Sequence, residues 1–553
     1  LKVMLGLNAE KEKYTYFWGN RKGIIDERFP ELNLASPIGQ DLDAKHTHRA
    51  SAGYFGRINY DYKDIYLLEL NGRYDGSSRF PRHSHWAFFP SVSLGYRFSE
   101  EPYFKQLRNV VSNGKLRASF GEIGNEAVGD YMFESLITQV DRDDVHWVDG
   151  NQENANKLPM FNTPNLVEPI LTWERIRTTD VGLDLGFLNN ELSVGFDWYQ
   201  RENTDMLAPS QVLPQVLGTD APMANAGTLR TRGWELTLDW HHRFGEFNVY
   251  ANFNLADSKT VVTKWESKAK LLNQNYSGKT YGDIWGFETD RYFEESDFTG
   301  QNADGTWNYA NGIASQKGLE QGSFHYGPGD VKFKDLDGNG VIDGGEGTAD
   351  KHGDLKVIGN FLPRYEYSFH LGGAWRGFDL DLFFQGVGKR HVWTVSSMNF
   401  PLMREADLAI YDHQLSYNRV IYKNGLKDVE RYEVNQANKY PRLFPGNDPQ
   451  GNISVIDAGT NNYYPQSRYL TDMSYLRLKN VTLGYTLPKE LTRKAYIQKA
   501  RIYLSASNLF LLYKGNDLPV DPEINAGAGL KYGGWGRTAP ITRTLSFGMQ
   551  VTL

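Results

Sequence analysis

Asp335, Asp337, Asn339, Asp343 and Glu346 recur at the spacing D-x-[DN]-x-[DN]-G-x5-E, with every fixed position filled and Gly340 in the glycine place. Oxygen donors at alternate positions can converge on one hard cation, and the glycine permits the sharp turn that convergence needs. The chemistry expected is calcium binding. Asp335, Asp337 and Asn339 would bind through side chains, Val341 through its carbonyl, Asp343 directly or through water, and Glu346 with one or both oxygens. Carboxylates packed this closely repel one another without a cation. The bland alternative is an acidic turn that holds no metal. Because no helices of the EF-hand type flank the run, a structural cation in an external loop is expected rather than a calcium sensor.

Other residue types carry weaker signals. His46 with His48, and His83 with His85, have H-x-H spacing, but a lone H-x-H is a weak signal and solvated loop histidines account for them better. Tyr281, Trp285, Phe287, Trp307 and Trp393 offer flat apolar faces suited to a sugar ring or a peptide, but packing the loops or touching a partner lid is the favoured expectation for most of them. No Gly-rich phosphate loop, G-x-S-x-G elbow or H-E-x-x-H pair is present, and loop carboxylates are too dense to single out a glycosidase pair. No enzymatic activity is expected.

The elements that must position these residues are strands. Leu545, Phe547, Met549, Val551 and Leu553 alternate with Ser546, Gly548, Gln550 and Thr552 at the C-terminus. Trp234, Leu236, Leu238 and Trp240 alternate with Glu235, Thr237 and Asp239. Leu192, Val194, Phe196 and Trp198 alternate with Ser193, Gly195 and Asp197, and similar runs surround Leu68 and Leu382. These runs extend for roughly nine to thirteen residues, against about five or six for soluble strands, which is near the length a tilted strand needs to cross a bilayer. Aromatic ends, such as Trp234 with Trp240 and Tyr365 with Trp375, resemble interfacial girdles.

Composition agrees. The 553 residues include 55 Gly and no Cys, with 14% aromatics, so many tight turns are expected and neither disulfides nor Cys-ligated metal. A net charge of −7 with interspersed signs gives nucleic acid no purchase. Mean hydropathy is −0.55 and no stretch approaches the roughly 18 to 20 apolar residues of a spanning helix. Neither fact argues against a barrel, whose strands turn half their side chains to a polar lumen.

Connection lengths test that idea, because bacterial barrels alternate short periplasmic turns with long outer loops. Asn189-Asn190, His242 to Gly245 and Arg376-Gly377 read as short turns, and 203–231, 258–363 and 389–473 as long loops. The parity holds from Tyr62-Lys63 onward, across about fourteen strands, and leaves Leu553 on the short-turn side. Glu100 to Gly114 is the awkward member, a periplasmic connection longer than its peers. The expected fold is all-β: one transmembrane antiparallel β-barrel with long extracellular loops. Starting at Leu1-Lys2-Val3, residues 1–553 read as the carboxy-terminal part of that barrel: a processed piece, a fragment or one half of a split protein.

Specific phrases narrow the reading further. Asn71 to Phe80 (NGRYDGSSRF), Phe89 to Arg97 (FPSVSLGYR), Lys115 to Gly121 (KLRASFG) with Gly124-Asn125, and Trp173-Glu174 leading to Gly182-Leu183-Asp184 and Phe187 to Asn190 together resemble the SusC/RagA family of TonB-dependent transporters of the Bacteroidetes. Tyr475 to Tyr485 (YLRLKNVTLGY), Ser507 to Phe510 (SNLF) and Asp521-Pro522-Glu523 continue the resemblance in order. It implies a barrel of about 22 strands, so that roughly eight would precede Leu1. It also implies an N-terminal plug and TonB box, both absent from this chain, and energy drawn through TonB. The implied partners are a SusD-like surface lipoprotein, the N-terminal barrel and plug segment, and outer-membrane lipid. The implied function is outer-membrane import of an oligomeric nutrient, a glycan or a peptide. Two departures stand out: the missing plug, and Leu553 at the end where an aromatic is common. The rival from another class is a secreted β-rich protein that binds or degrades glycans. A purely structural barrel, or a half-barrel subunit, is the third reading.

Overall fold

The computed structural model describes residues 1–553 apart from 37, 39, 138–139, 141–147, 150–155, 158–159, 165, 210–215, 217–220, 323, 395–397, 402–409, 424–428, 444–445, 448–452, 455–459, 524–538 and 540. Period-two sequence becomes one fourteen-stranded sheet in which every strand pairs antiparallel with its neighbours in chain order. The strands are β1 (Lys2–Asn20), β2 (Asp41–Tyr62), β3 (Tyr66–Ser77), β4 (Trp86–Tyr96), β5 (Val111–Asn125), β6 (Glu174–Phe187) and β7 (Leu192–Pro209). Then follow β8 (Met223–Phe244), β9 (Phe247–Lys264), β10 (Arg364–Trp375), β11 (Phe378–Lys389), β12 (Tyr475–Thr486), β13 (Lys499–Lys514) and β14 (Thr544–Thr552). Strands β1 and β14 each have one partner, so the sheet ends in two edges.

Register carries the apolar row unbroken across the sheet. Phe196 faces Leu236, Leu236 faces Leu255, Leu255 faces Tyr367, and farther along Leu382 faces Val481 and Val481 faces Ala506. A pleated strand sends these side chains to one face and their neighbours to the other. Trp234, Leu236, Leu238 and Trp240 lie on the apolar face and none is buried. A soluble sandwich would hide that row inside a core. Aromatics bound the row at both ends. Tyr54 and Tyr74 stack on Trp86 at 6.0 and 5.1 Å, and Tyr66 stacks on Tyr96 at 5.3 Å. From Tyr66 to Tyr74 the strand rises about 27 Å, or roughly 20 Å along the axis at a tilt near 40°, close to the apolar height of a bacterial barrel.

The fourteen strands and the short turns at 63–65, 188–191 and 376–377 match the sequence expectation, while the turn expected at His242 to Gly245 shrinks to 245–246 because β8 runs on to Phe244. Strand ends differ from it: β7 runs on to Pro209 and β8 begins at Met223, so the loop expected at 203–231 is 210–222. Pairing satisfies backbone donors and acceptors whether or not side chains alternate, so ladders continue past the bilayer, where the apolar signal has ended. The segment 97–110 is the long connection anticipated, wound into a turn at Pro102–Leu107. Among the described residues no helix is long and apolar enough to cross a membrane.

Buried side chains concentrate outside the sheet. Phe287, Tyr292, Val331, Phe333, Ile342, Phe400, Tyr440, Tyr463 and Tyr469 form a core contributed by the two longest loops, and Phe293, Phe298, Phe324 and Tyr326 form a second beside it.

Candidate metal loop and lumen wall

The polar face of the sheet is a wall of paired charges. Arg117 donates to Asp184 at 2.8 Å and to Asp197 at 3.0 Å. Farther along the sheet Arg177 meets Glu122 at 2.7 Å, Arg230 meets Glu202 at 2.6 Å, Asn252 donates to Asp239 at 2.6 Å and His370 contacts Asp381 at 2.6 Å. Gly182 makes the first of these possible, since a Cβ there would lie 2.7 Å from the Arg117 guanidinium carbon and 2.2 Å from an Asp197 oxygen. Such pairs in contact with water are worth about 0 to 1 kcal/mol each. They orient the wall more than they stabilise it, and leave a hydrated surface along which polar solutes can move.

Above the wall the 265–363 loop folds on three short antiparallel strand pairs nested in sequence: Asp283–Phe287 with Leu355–Asn360, Thr289–Tyr292 with Val331–Phe333, and the hairpin Phe298–Gln301 with Trp307–Tyr309. Apolar residues of these strands supply the loop core. Phe287 stacks on Phe333 at 4.8 Å, Trp393 lies 5.8 Å from Phe400, Trp307 contacts Phe298 and Tyr432, Trp285 lies against His352, and Tyr281 against Phe361. All five loop aromatics singled out in the sequence therefore pack the loops. Charges are fixed here too. Burial alone would raise the Asp297 carboxyl, but the Arg291 fork, at 2.6 Å to each oxygen, and the Glu294 amide outweigh it and hold it below the usual carboxylate range. Glu288, between Lys334 and Lys356, is pulled down to about 2.

The acidic run begins just after Phe333, and Ile342, fully buried, anchors its far half in the core. Asp335 accepts from the amides of Gly338 (2.7 Å) and Gly340 (2.8 Å), both glycines having positive φ. The structure brings Asp335 and Asp337 together with Asp354: one oxygen from each lies within 4.8 Å of the others. Asp354 is fully buried and clamps the loop shut, accepting from Leu336 N at 2.6 Å and Asp343 N at 3.0 Å. Asn339 caps Val341 N at 2.7 Å, Asp343 accepts from Gly345 N at 2.7 Å, and Val341 is partly exposed beside Ser315. Glu346 is not brought in. It pairs with Lys351 at 2.5 Å at the surface, where the chain makes a turn with positive φ at Gly347 and the Glu346 amide donates to the Lys351 carbonyl.

Calcium ligands lie about 2.3 to 2.6 Å from the ion, so oxygens on opposite sides of one ion are about 5 Å apart. The Asp335, Asp337 and Asp354 oxygens fit that span. Asp354 lies outside the motif window, so only its place beside Gly353, in a left-handed turn, could have hinted at it. No histidine joins such a group among the described residues; His48 instead contacts Tyr131 at 3.1 Å.

The family described as TonB dependent receptor-like, beta-barrel, matches residues 4–509. A TonB-dependent receptor of Formosa agariphila is 28% identical over 527 residues, covering 90% of this chain and 45% of that protein. The TonB-dependent receptor SusC of Bacteroides thetaiotaomicron is 26% identical over 505 residues, covering 88% and 43%. The chain spans about half the length of the curated relatives it matches. Among solved structures, that of the RagAB peptide transporter superposes with a TM-score of 0.65 at 20% identity, over 100% of this chain and 53% of that one, which shows a shared fold.

Proposed function

The chain belongs to the TonB-dependent receptor-like β-barrel family of the outer membrane, and from that premise we infer that it forms most of the wall and outer mouth of an importer for an oligomeric nutrient. The observation that carries this is the sheet itself: an unbroken apolar row on one face, a hydrogen-bonded polar wall on the other, and a folded loop assembly over one end. In this reading the strands that close the cylinder on β1 and β14, with a plug and TonB box, come from the length of the relatives that this chain does not span. An edge as long as β1 exposes a row of backbone donors and acceptors that another strand satisfies. TonB supplies the energy, and a SusD-like lipoprotein covers the loop assembly and helps to capture substrate. The substrate class is a glycan or a peptide, both able to pair with a wall of alternating Arg, Asp and Asn. The growth test is deletion of the locus followed by culture on defined glycans and peptides: growth should fail on one class only. Undiminished growth on every one would remove the importer reading.

Calcium in the 335–346 loop belongs to the same proposal. Asp335, Asp337 and Asp354 would hold the ion, with the Asn339 side chain, the Val341 carbonyl and Asp343 completing the shell. The ion would offset the mutual repulsion of the carboxylates and stiffen the loop on its Ile342 anchor. Calorimetric titration of the purified protein with calcium should give heat and a higher unfolding temperature. Neither heat nor stabilisation would refute it.

A further inference from the structure

Between β12 and β13 the connection 487–498 reads Leu-Pro-Lys-Glu-Leu-Thr-Arg-Lys-Ala-Tyr-Ile-Gln and leads into Lys499. Lys489, Arg493, Lys494 and Lys499 face a single acid, Glu490, in a chain whose net charge is −7. All four are exposed, and among the described residues none has a carboxylate within 4.0 Å. Four cations against one acid within thirteen residues make this a locally basic segment of an acidic chain.

Two further observations place it. First, Leu491 is 58% exposed and Tyr496 is 93% exposed, apolar groups set among the cations. Second, the segment lies over the lipid-facing row. Ala500 belongs to that row, which continues through Ile502 and Leu504, yet Ala500 is buried while its successors are exposed. The Lys489–Thr492 turn packs on β13 there, and Leu487 N donates to Ala500 O at 2.9 Å. By the parity of the connections this is the periplasmic rim, where the membrane leaflet is phospholipid.

The other long periplasmic connection supplies an internal contrast. The segment 97–110 also lies on the outer face, with Phe98 over Gly114 and Tyr103 Oη bonded to Tyr96 Oη at 2.7 Å, and it exposes Tyr103, Leu107 and Val110. Its three cations, Arg97, Lys105 and Arg108, are set against two acids, Glu100 and Glu101, with Arg108 pairing with Glu100 at 3.0 Å. It is an apolar foot with less excess positive charge than 487–499.

We propose that residues 487–499 are a binding site for the phosphate headgroups of anionic phospholipid in the periplasmic leaflet, with Lys489, Arg493, Lys494 and Lys499 holding the phosphate and Leu491 and Tyr496 entering the headgroup layer. Aromatic side chains favour that interface, and each basic residue near an anionic surface adds roughly fivefold in binding.

The test uses the intact protein extracted from outer membranes, delipidated and offered phosphatidylglycerol and phosphatidylethanolamine in mixed micelles, with bound lipid counted by native mass spectrometry. The native protein should retain phosphatidylglycerol over phosphatidylethanolamine by more than about tenfold. The combined variant Lys489→Gln, Arg493→Gln, Lys494→Gln, Lys499→Gln should fall to near parity while its barrel still resists SDS until boiled. If that variant does not assemble, the native protein in high salt should lose the same preference, since exposed charges are screened. Leu491→Ser with Tyr496→Ser should weaken retention of both lipids alike. An unchanged preference in the charge variant would overturn the proposal. So would displacement of lipid by millimolar inorganic phosphate, which would mark an ion site alone, or capture of peptidoglycan fragments with no lipid preference.

Discussion

Arg442→Met should unlock the outer loops while leaving the barrel intact. Asp330, in the 265–363 loop, is fully buried, and Arg442, in the 390–474 loop, is 11% exposed. One Asp330 oxygen accepts from Arg442 Nε at 2.9 Å, from Arg442 Nη2 at 2.7 Å and from Gly327 N at 2.9 Å, while the other accepts from Asn462 Nδ2 at 2.8 Å. Arg442 also donates to the His325 carbonyl at 2.7 Å and lies over the Phe324 ring. Burial alone would lower its pKa, yet Asp330 more than offsets that and keeps it above its ordinary value. Methionine preserves the stem and removes the charge, leaving a buried carboxylate uncompensated. Such losses cost about 3 to 5 kcal/mol, which is roughly two to three and a half orders of magnitude in the opening equilibrium. Because the pair lies outside the sheet, the opening is local. Hydrogen exchange read by mass spectrometry should accelerate in peptides covering 324–333 and 461–469, with peptides from β10 unchanged. Adding Asp330→Asn to the Met variant should slow exchange again, since the amide keeps acceptors without the charge. Exchange in those two peptides within threefold of the native rate would refute the reasoning.

Asp354→Ala removes the acceptor shared by Leu336 N and Asp343 N, and should lower the unfolding temperature of the loop assembly and weaken calcium binding at least tenfold, both read by calorimetry with and without chelator. Glu288 sits below its ordinary 4.5, at about 2, so its contribution to loop stability is complete above pH 4.5 and is lost as pH falls toward about 2. Glu288→Gln should flatten that part of the loop's acid-unfolding profile, followed by tryptophan fluorescence. Leu371→Lys puts a cation on the lipid-facing row midway along β10 and should cost about 2 to 4 kcal/mol in a folding titration from urea into bilayers, whereas the same change at neighbouring His370, on the polar wall, should cost far less.

The strands were legible because a membrane imposes alternation: Leu545 to Leu553 or Trp234 to Trp240 can satisfy lipid and lumen only with a period of two. Their ends were not, since Met223 pairs with Pro209 and Ala224 with Ala208 where no bilayer enforces a pattern. The acidic motif picked out Asp335 and Asp337, which the structure places beside Asp354; Asp354 joins them through a turn and not through spacing, and Glu346 pairs with Lys351. Packing was also the favoured expectation for the loop aromatics, and the structure gives it a place: Phe287 lies in one loop core and Trp307 packs against the other.

The central claim is a wall with lipid on one side and water on the other. Spin labels placed singly from Trp234 to Trp240 in the complete, bilayer-reconstituted protein report that division through collision with oxygen, which partitions into lipid, and with a water-soluble nickel chelate. Positions 234, 236, 238 and 240 should favour oxygen and positions 235, 237 and 239 the chelate, in strict alternation. Even-numbered positions shielded from both reagents would mean that the apolar row lines a protein core, and the account would fail.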